Sequence, residues 1–168
     1  VAFVATARGS ADSDVIAVSP RSGHARRITR GGPPVVEAAW TPDGREVVFA
    51  RRSRRQIEVF VLRRGGAPHL IRRCSLECDP RSFAWSPDGR RIAFVTNIRS
   101  RFTGTAGEIA VMNADGRGFR AVCSEATCGQ GLADPRWSPD GSRLRSRTWT
   151  HRLLRARHPP EPYLGRTA

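Results

Sequence analysis

The sequence predicts an all-β chain assembled from repeated four-stranded antiparallel sheets. Three observations lead there: a Trp-(Ser/Thr)-Pro-Asp-Gly motif present three times, alternating apolar strands behind its copies, and Gly-rich turns at matching distances. Ala39-Trp40-Thr41-Pro42-Asp43-Gly44-Arg45 recurs as Ala84-Trp85-Ser86-Pro87-Asp88-Gly89-Arg90, and again as Arg136-Trp137-Ser138-Pro139-Asp140-Gly141-Ser142. Each copy encodes a tight turn: Pro presets its φ, Asp tolerates the next position, and Gly takes the left-handed conformation that ends it. The turn joins two antiparallel strands, with Trp on the first.

The remaining elements follow in order. Second strands are expected over Glu46-Val47-Val48-Phe49-Ala50 and Arg91-Ile92-Ala93-Phe94-Val95, whose alternation marks one buried face. Third strands fall at Ile57-Glu58-Val59-Phe60-Val61 and Glu108-Ile109-Ala110-Val111-Met112-Asn113. The turns Arg64-Gly65-Gly66 and Asp115-Gly116-Arg117-Gly118 lead to fourth strands around His69 to Arg73 and Phe119 to Cys123. The opening segment fits the same template without a first strand: Phe3 aligns with Phe49, 14–18 with the third strand and 26–30 with the fourth. The tryptophans stand 45 and 52 residues apart, close to the roughly 40–50 residues of a β-propeller blade. The expected architecture is a partial β-propeller over residues 1–144, comprising a partial blade over 1–30, blades near 35–74 and 81–123, and an incomplete blade from 132. Such a chain cannot close a ring alone, because roughly four blades are the usual minimum. Its exposed edges make self-association an expectation.

Trp-Ser-Pro-Asp-Gly, a strand ending in Phe, then Ile-Ala-Val-Met-Asn-Ala-Asp-Gly resembles the WD-like propeller repeat of the TolB family, across roughly residues 1–144. The resemblance implies a non-catalytic platform for protein–protein or ligand binding, periplasmic, in the cell envelope or secreted, with another protein or an envelope component as partner. The same repeat occurs as a non-catalytic domain fused to prolyl-oligopeptidase-like serine peptidases. The alternative reading is therefore the propeller portion of such an enzyme with its catalytic domain elsewhere. A truncated remnant without independent function is a further alternative.

The pattern is expected to break after Leu144. The third motif should lead to Phe at position 146, but the chain reads Arg143-Leu144-Arg145-Ser146-Arg147-Thr148-Trp149-Thr150 and continues Arg-rich, with Pro159, Pro160 and Pro162. Residues 145–168 are thus expected to form an irregular, disordered tail, or one read out of frame after a frameshift.

The formal charge of +14 raises nucleic acid as a partner. All 29 basic residues are Arg, scattered through turns and strand ends with no recognition motif. A solvated basic surface is the preferred reading and nucleic acid is not expected. No apolar run approaches the roughly 18 residues of a membrane span.

Catalytic chemistry finds no foothold. There is no Gly-x-Ser-x-Gly, no Gly-x-x-x-x-Gly-Lys and no His-x-x-x-His, so neither enzyme activity nor a cofactor is expected. Asp43, Asp88 and Asp140 recur with every motif, which assigns them to turns, since a catalytic group is needed once. His24 and His69 sit at matching positions before fourth strands; His151 and His158 lie in the tail. Cys74/Cys78 and Cys123/Cys128 occupy the loops entering the next blade. Zinc held by all four is disfavoured, because a blade's width separates the pairs while ligands must lie about 2.3 Å from the metal. Disulfides closing each loop are preferred over free thiols, given the even number, the local pairing and the likeness to secreted folds.

Overall fold

The structure, a computed structural model, describes residues 2–6, 13–100, 104–129, 131–147 and 153–155; Trp149, His151 and His158 lie outside these. The first sheet is three-stranded, in order β1 (Ala2–Thr6), β2 (Ser13–Val18), β3 (Ala25–Arg27). The second comprises β4 (Val35–Trp40), β5 (Glu46–Arg52), β6 (Gln56–Arg63) and β7 (His69–Ser75), in that order. The third runs β8 (Arg81–Trp85), β9 (Arg91–Ser100), β10 (Gly104–Asn113), β11 (Arg120–Ser124). The fourth is β12 (Ala133–Trp137), β13 (Arg143–Arg147), β14 (Leu153–Arg155). Each sheet is an antiparallel meander with consecutive strands adjacent, and successive sheets pack face to face. This is a partial β-propeller of two complete and two incomplete blades.

The register shows why the alternating sequence folds this way. Trp40 lies opposite Val47 and Trp85 opposite Ile92, while Trp137 lies opposite Leu144. Val47 and Phe49 therefore face the first blade, where they pack with Val15, Val35 and Leu62. Ile92 and Phe94 face the second blade and join Val48, Ala50, Ile57, Val59 and Val61 in the largest core. Leu144 faces the third blade, against Ala93, Ile109, Val111, Cys123, Cys128 and Leu132. Both faces of each central blade are thus apolar, as a sheet covered on two sides requires.

Several expectations are corrected. The β9–β10 hairpin is longer than the alternation implied, pairing out to Ser100↔Gly104. The fourth strand of the third blade starts at Arg120, and the crossover after it holds a one-turn helix, α1 (Glu125–Cys128), that no apolar periodicity announced. The expected break after Leu144 is also revised. β13 continues through Arg147 and pairs with β14 by Leu144↔Leu154 and Arg145↔Leu153. The physical reason lies at Ser146, which occupies the place of Phe49 and Phe94. It is buried, and its hydroxyl donates to the Ala133 carbonyl at 2.9 Å. A small, satisfied polar group keeps the alternation where a bulky apolar one was expected. Residues 156–168 of the expected tail lie outside the described residues.

Candidate functional site

The blades have two ends. At one, the turn end, stand the Trp-Pro-Asp-Gly turns and the Gly-rich turns after the third strands. At the other, the hairpin end, stand the second-to-third-strand hairpins and the crossovers to the next blade.

At the turn end every repeated polar group is consumed by structure. The Thr41 hydroxyl donates to Asp43 Oδ1 at 2.6 Å and accepts the Glu46 N–H at 3.0 Å. Ser86 with Asp88 and Arg91, and Ser138 with Asp140 and Arg143, repeat the arrangement. The same Asp oxygens accept the N–H of Arg45, Arg90 and Ser142 at 3.0 Å. These hydroxyl bonds, then the backbone ones, hold all three carboxyls below the ordinary Asp range, so they stand ionised. Gly44, Gly89 and Gly141 close the turns at φ of 69°, 67° and 68°, and Pro42, Pro87 and Pro139 open them. A cleft of 190 Å³ between consecutive turns is lined by Asp43, Asp88 and Glu46, but Glu46 is already tied to Arg63 at 2.7 Å.

The tryptophans join blades. Trp85 Nε1 donates to the Ala39 carbonyl at 3.2 Å, and Trp137 Nε1 to that of Ala84 at 3.0 Å. Arg91 reinforces the second junction, with its guanidinium 4.5 Å from the Trp137 ring and bonded to the Gly141 carbonyl at 2.8 Å. Trp40 Nε1 is buried with no acceptor among the described residues. Trp85 is buried, whereas Trp40 and Trp137 are half-buried. His24 and His69 lie at the outer strands, the latter opening β7.

The hairpin end carries what sequence reasoning missed. Glu37, Ser82 and Asp134 each stand three residues before a motif Trp, on the first strands of successive blades, where the register shifts by a bulge. They form a row: the Ser82 N–H donates to Glu37 Oε2 at 3.1 Å, and its hydroxyl to Asp134 Oδ1 at 3.4 Å. Ser82 and Asp134 take φ of 54° and 45°, a left-handed backbone that costs a non-glycine residue about 1 kcal/mol or more. Beside them Asp79 receives both Arg52 and Arg81, the latter at 2.7 Å. A polar residue recurring at the third place before each Trp was the available signal.

The crossovers hold the cysteines. Cys74 and Cys78 lie at disulfide distance with Cα atoms 5.9 Å apart, as do Cys123 and Cys128 at 6.0 Å. The two pairs belong to different crossovers, and among the described residues no three His, Cys, Asp or Glu side chains are grouped to hold a metal ion. Between its two cysteines the first loop raises Leu76 after β7, and Val36 is the second residue of β4, at the opposite edge of the same blade. These are the large apolar side chains standing exposed among the described residues, each at 38%.

No protein-family model matches this sequence, and no curated protein sequence matches it. Solved structures do match. TolB from Acinetobacter baumannii superposes with a TM-score of 0.68 at 16% identity, over 92% of this chain and 40% of that one. A prolyl endopeptidase gives 0.58 at 15% identity, over 92% and 24%. A chain of the nidogen/laminin complex gives 0.58 at 17% identity, over 80% and 48%. The chain thus spans less than half of each of these structures. At such identities the likeness establishes the fold, a TolB-like β-propeller segment, in agreement with the blades described above.

Proposed function

We propose that this propeller segment is a non-catalytic binding module that docks another protein or an envelope component on its hairpin end. The observation carrying this reading is the exposure of Leu76 and Val36 at that end of the second blade. Leu76 is held out on a crossover whose cysteines lie at disulfide distance, at the same end of the blades as the strained Ser82–Asp134 row. Apolar groups presented on a rigid rim of charged and hydrogen-bonding residues suit a protein interface. At the turn end, by contrast, the recurrent Thr/Ser and Asp groups are spent on their own turns. Paired cysteines fit an oxidising compartment, so the module is assigned to the cell envelope or the exterior. No helix among the described residues is long and apolar enough to cross a membrane.

The test places a photoreactive amino acid at Leu76 or Val36 and, as control, at Gly65 of the turn end, then irradiates in the native extract. A discrete cross-linked product from the hairpin-end positions alone is expected; equal products from both ends would sink the assignment. The likeness to a prolyl endopeptidase favours a second reading, the propeller portion of a serine peptidase. The chain itself is expected to take no label from a fluorophosphonate reagent, and labelling would show a nucleophile that the first reading denies.

A further inference from the structure

One sheet face departs from the repeat. In the second blade the face turned to the next blade carries Ala39, Val48 and Ala50, and in the third blade Ala84, Ala93 and Val95. Val48, Ala50, Ala93 and Val95 are all buried. The registers Ala39↔Val48, Ala84↔Ala93 and Arg136↔Arg145 place the equivalent residues of the fourth blade without ambiguity. They are Arg136, Arg145 and Arg147, with Arg143 at the position of Arg91. All four arginines are exposed, while Leu144 and Ser146 on the opposite face are buried against the third blade. An apolar triplet that twice seals a blade–blade junction has become a flat field of guanidinium groups.

This field is costly in isolation. Arg136 stands directly opposite Arg145, an arrangement in which like charges repel across about 5 Å. Among the described residues the acid bonded to the four is Asp134, at 3.4 Å from Arg147. Burying unpaired guanidinium groups beneath another apolar blade would be far costlier, so the face is closed to the packing used between the other blades.

We propose that this arginine face is a docking surface for an acidic segment of a partner protein, in extended or sheet conformation. Along a strand, alternate residues repeat every ~6.8 Å. That is the spacing of Arg143, Arg145 and Arg147, and also of carboxylates at alternate positions of an extended acidic chain. Guanidinium forks pair with carboxylates in bidentate fashion. Single-stranded nucleic acid fits less well, because its binding surfaces interleave aromatic rings with the basic groups and Trp137 lies on the opposite face. Arg147 reaches the hairpin end, where it is bonded to Asp134, but Arg136 and Arg145 lie on a different blade from Leu76 and Val36, so variants at the two places read this proposal and the proposed function separately.

The test is fluorescence anisotropy of a labelled peptide of about twelve alternating Glu and Thr residues. The variant R136E/R145E is expected to weaken binding by at least about tenfold, the sum of several exposed ion pairs. R26E/R30E, which changes the same charge at exposed positions of the first blade, should stay within about twofold. If the double reversal fails to fold by circular dichroism, R136Q/R145Q serves instead, with an expected loss of about threefold. Equal losses in the two regions would mean non-specific attraction and overturn the proposal. So would unchanged binding in the fourth-blade variant, or inorganic polyphosphate binding more tightly than the peptide with the same dependence on Arg136 and Arg145.

Discussion

Replacing Trp40 and Trp85 by Phe, one at a time, separates the inter-blade hydrogen bond from simple ring burial. The two tryptophans share a place in the repeat, yet only Trp85 has an acceptor for its indole N–H, the Ala39 carbonyl at 3.2 Å. Trp85→Phe loses that bond, worth about 1 kcal/mol net, and strips the Ala39 carbonyl of a donor. It also removes part of a ring buried to 6% exposure, for a total of about 2–3 kcal/mol. Trp40→Phe loses apolar contact as well, but it deletes a buried donor that has no acceptor among the described residues. Removing such a group returns about 1–2 kcal/mol, leaving a net change near zero. The expected gap between the variants is therefore about 2 kcal/mol. With a urea slope of about 2 kcal/mol per M, the gap appears as roughly 1 M between the unfolding midpoints, read by far-UV circular dichroism at constant slope. Equal midpoints, or a lower midpoint for Trp40→Phe, would refute the claim that the indole bond joins the blades.

Two further perturbations probe the same junctions. Gly116→Ala places a Cβ 2.0 Å from the Ile71 carbonyl oxygen of the neighbouring blade, at φ +83°, whereas Gly65→Ala meets only open space at φ +81°. The first is expected to cost about 3 kcal/mol or more and the second about 1 kcal/mol; similar costs in urea titration would deny the close approach of the blades. Acid should loosen the turns, because Asp43, Asp88 and Asp140 have folded pKa values depressed from the ordinary 3.8. Their stabilisation is fully present above that value and is lost progressively as pH falls below it and through the depressed folded values. The urea midpoint should thus hold from neutral to about pH 5 and decline below about pH 4, and the triple Asn variant should show a flatter decline. An unaltered decline would place the acid sensitivity elsewhere.

What the sequence disclosed, and what it hid, divides along the length scale of the interactions. The turn motif is legible because each group acts on residues within five positions: Thr41 on Asp43 and Glu46, Pro42 on its own φ, Gly44 on its left-handed conformation. Alternation disclosed the strands for the same reason, since a period of two reports which face is covered without saying by what. The hairpin-end row was hidden because its meaning is non-local. Glu37, Ser82 and Asp134 are 45 and 52 residues apart, and nothing in any one blade shows that the Glu37 carboxylate caps the Ser82 N–H of the next. Ser146 misled for the opposite reason. Losing Phe from the pattern looked like losing the blade, yet the alternation persisted in Leu144 and Ser146, and the hydroxyl found an acceptor within its own sheet. The arginines around it resemble the mark of a broken repeat. In the folded chain they mark one face of β13: the positions against the third blade stay apolar or small while those on the other face are charged. The Arg-rich strand therefore continues the blade register, with its charges confined to the face turned away from the third blade.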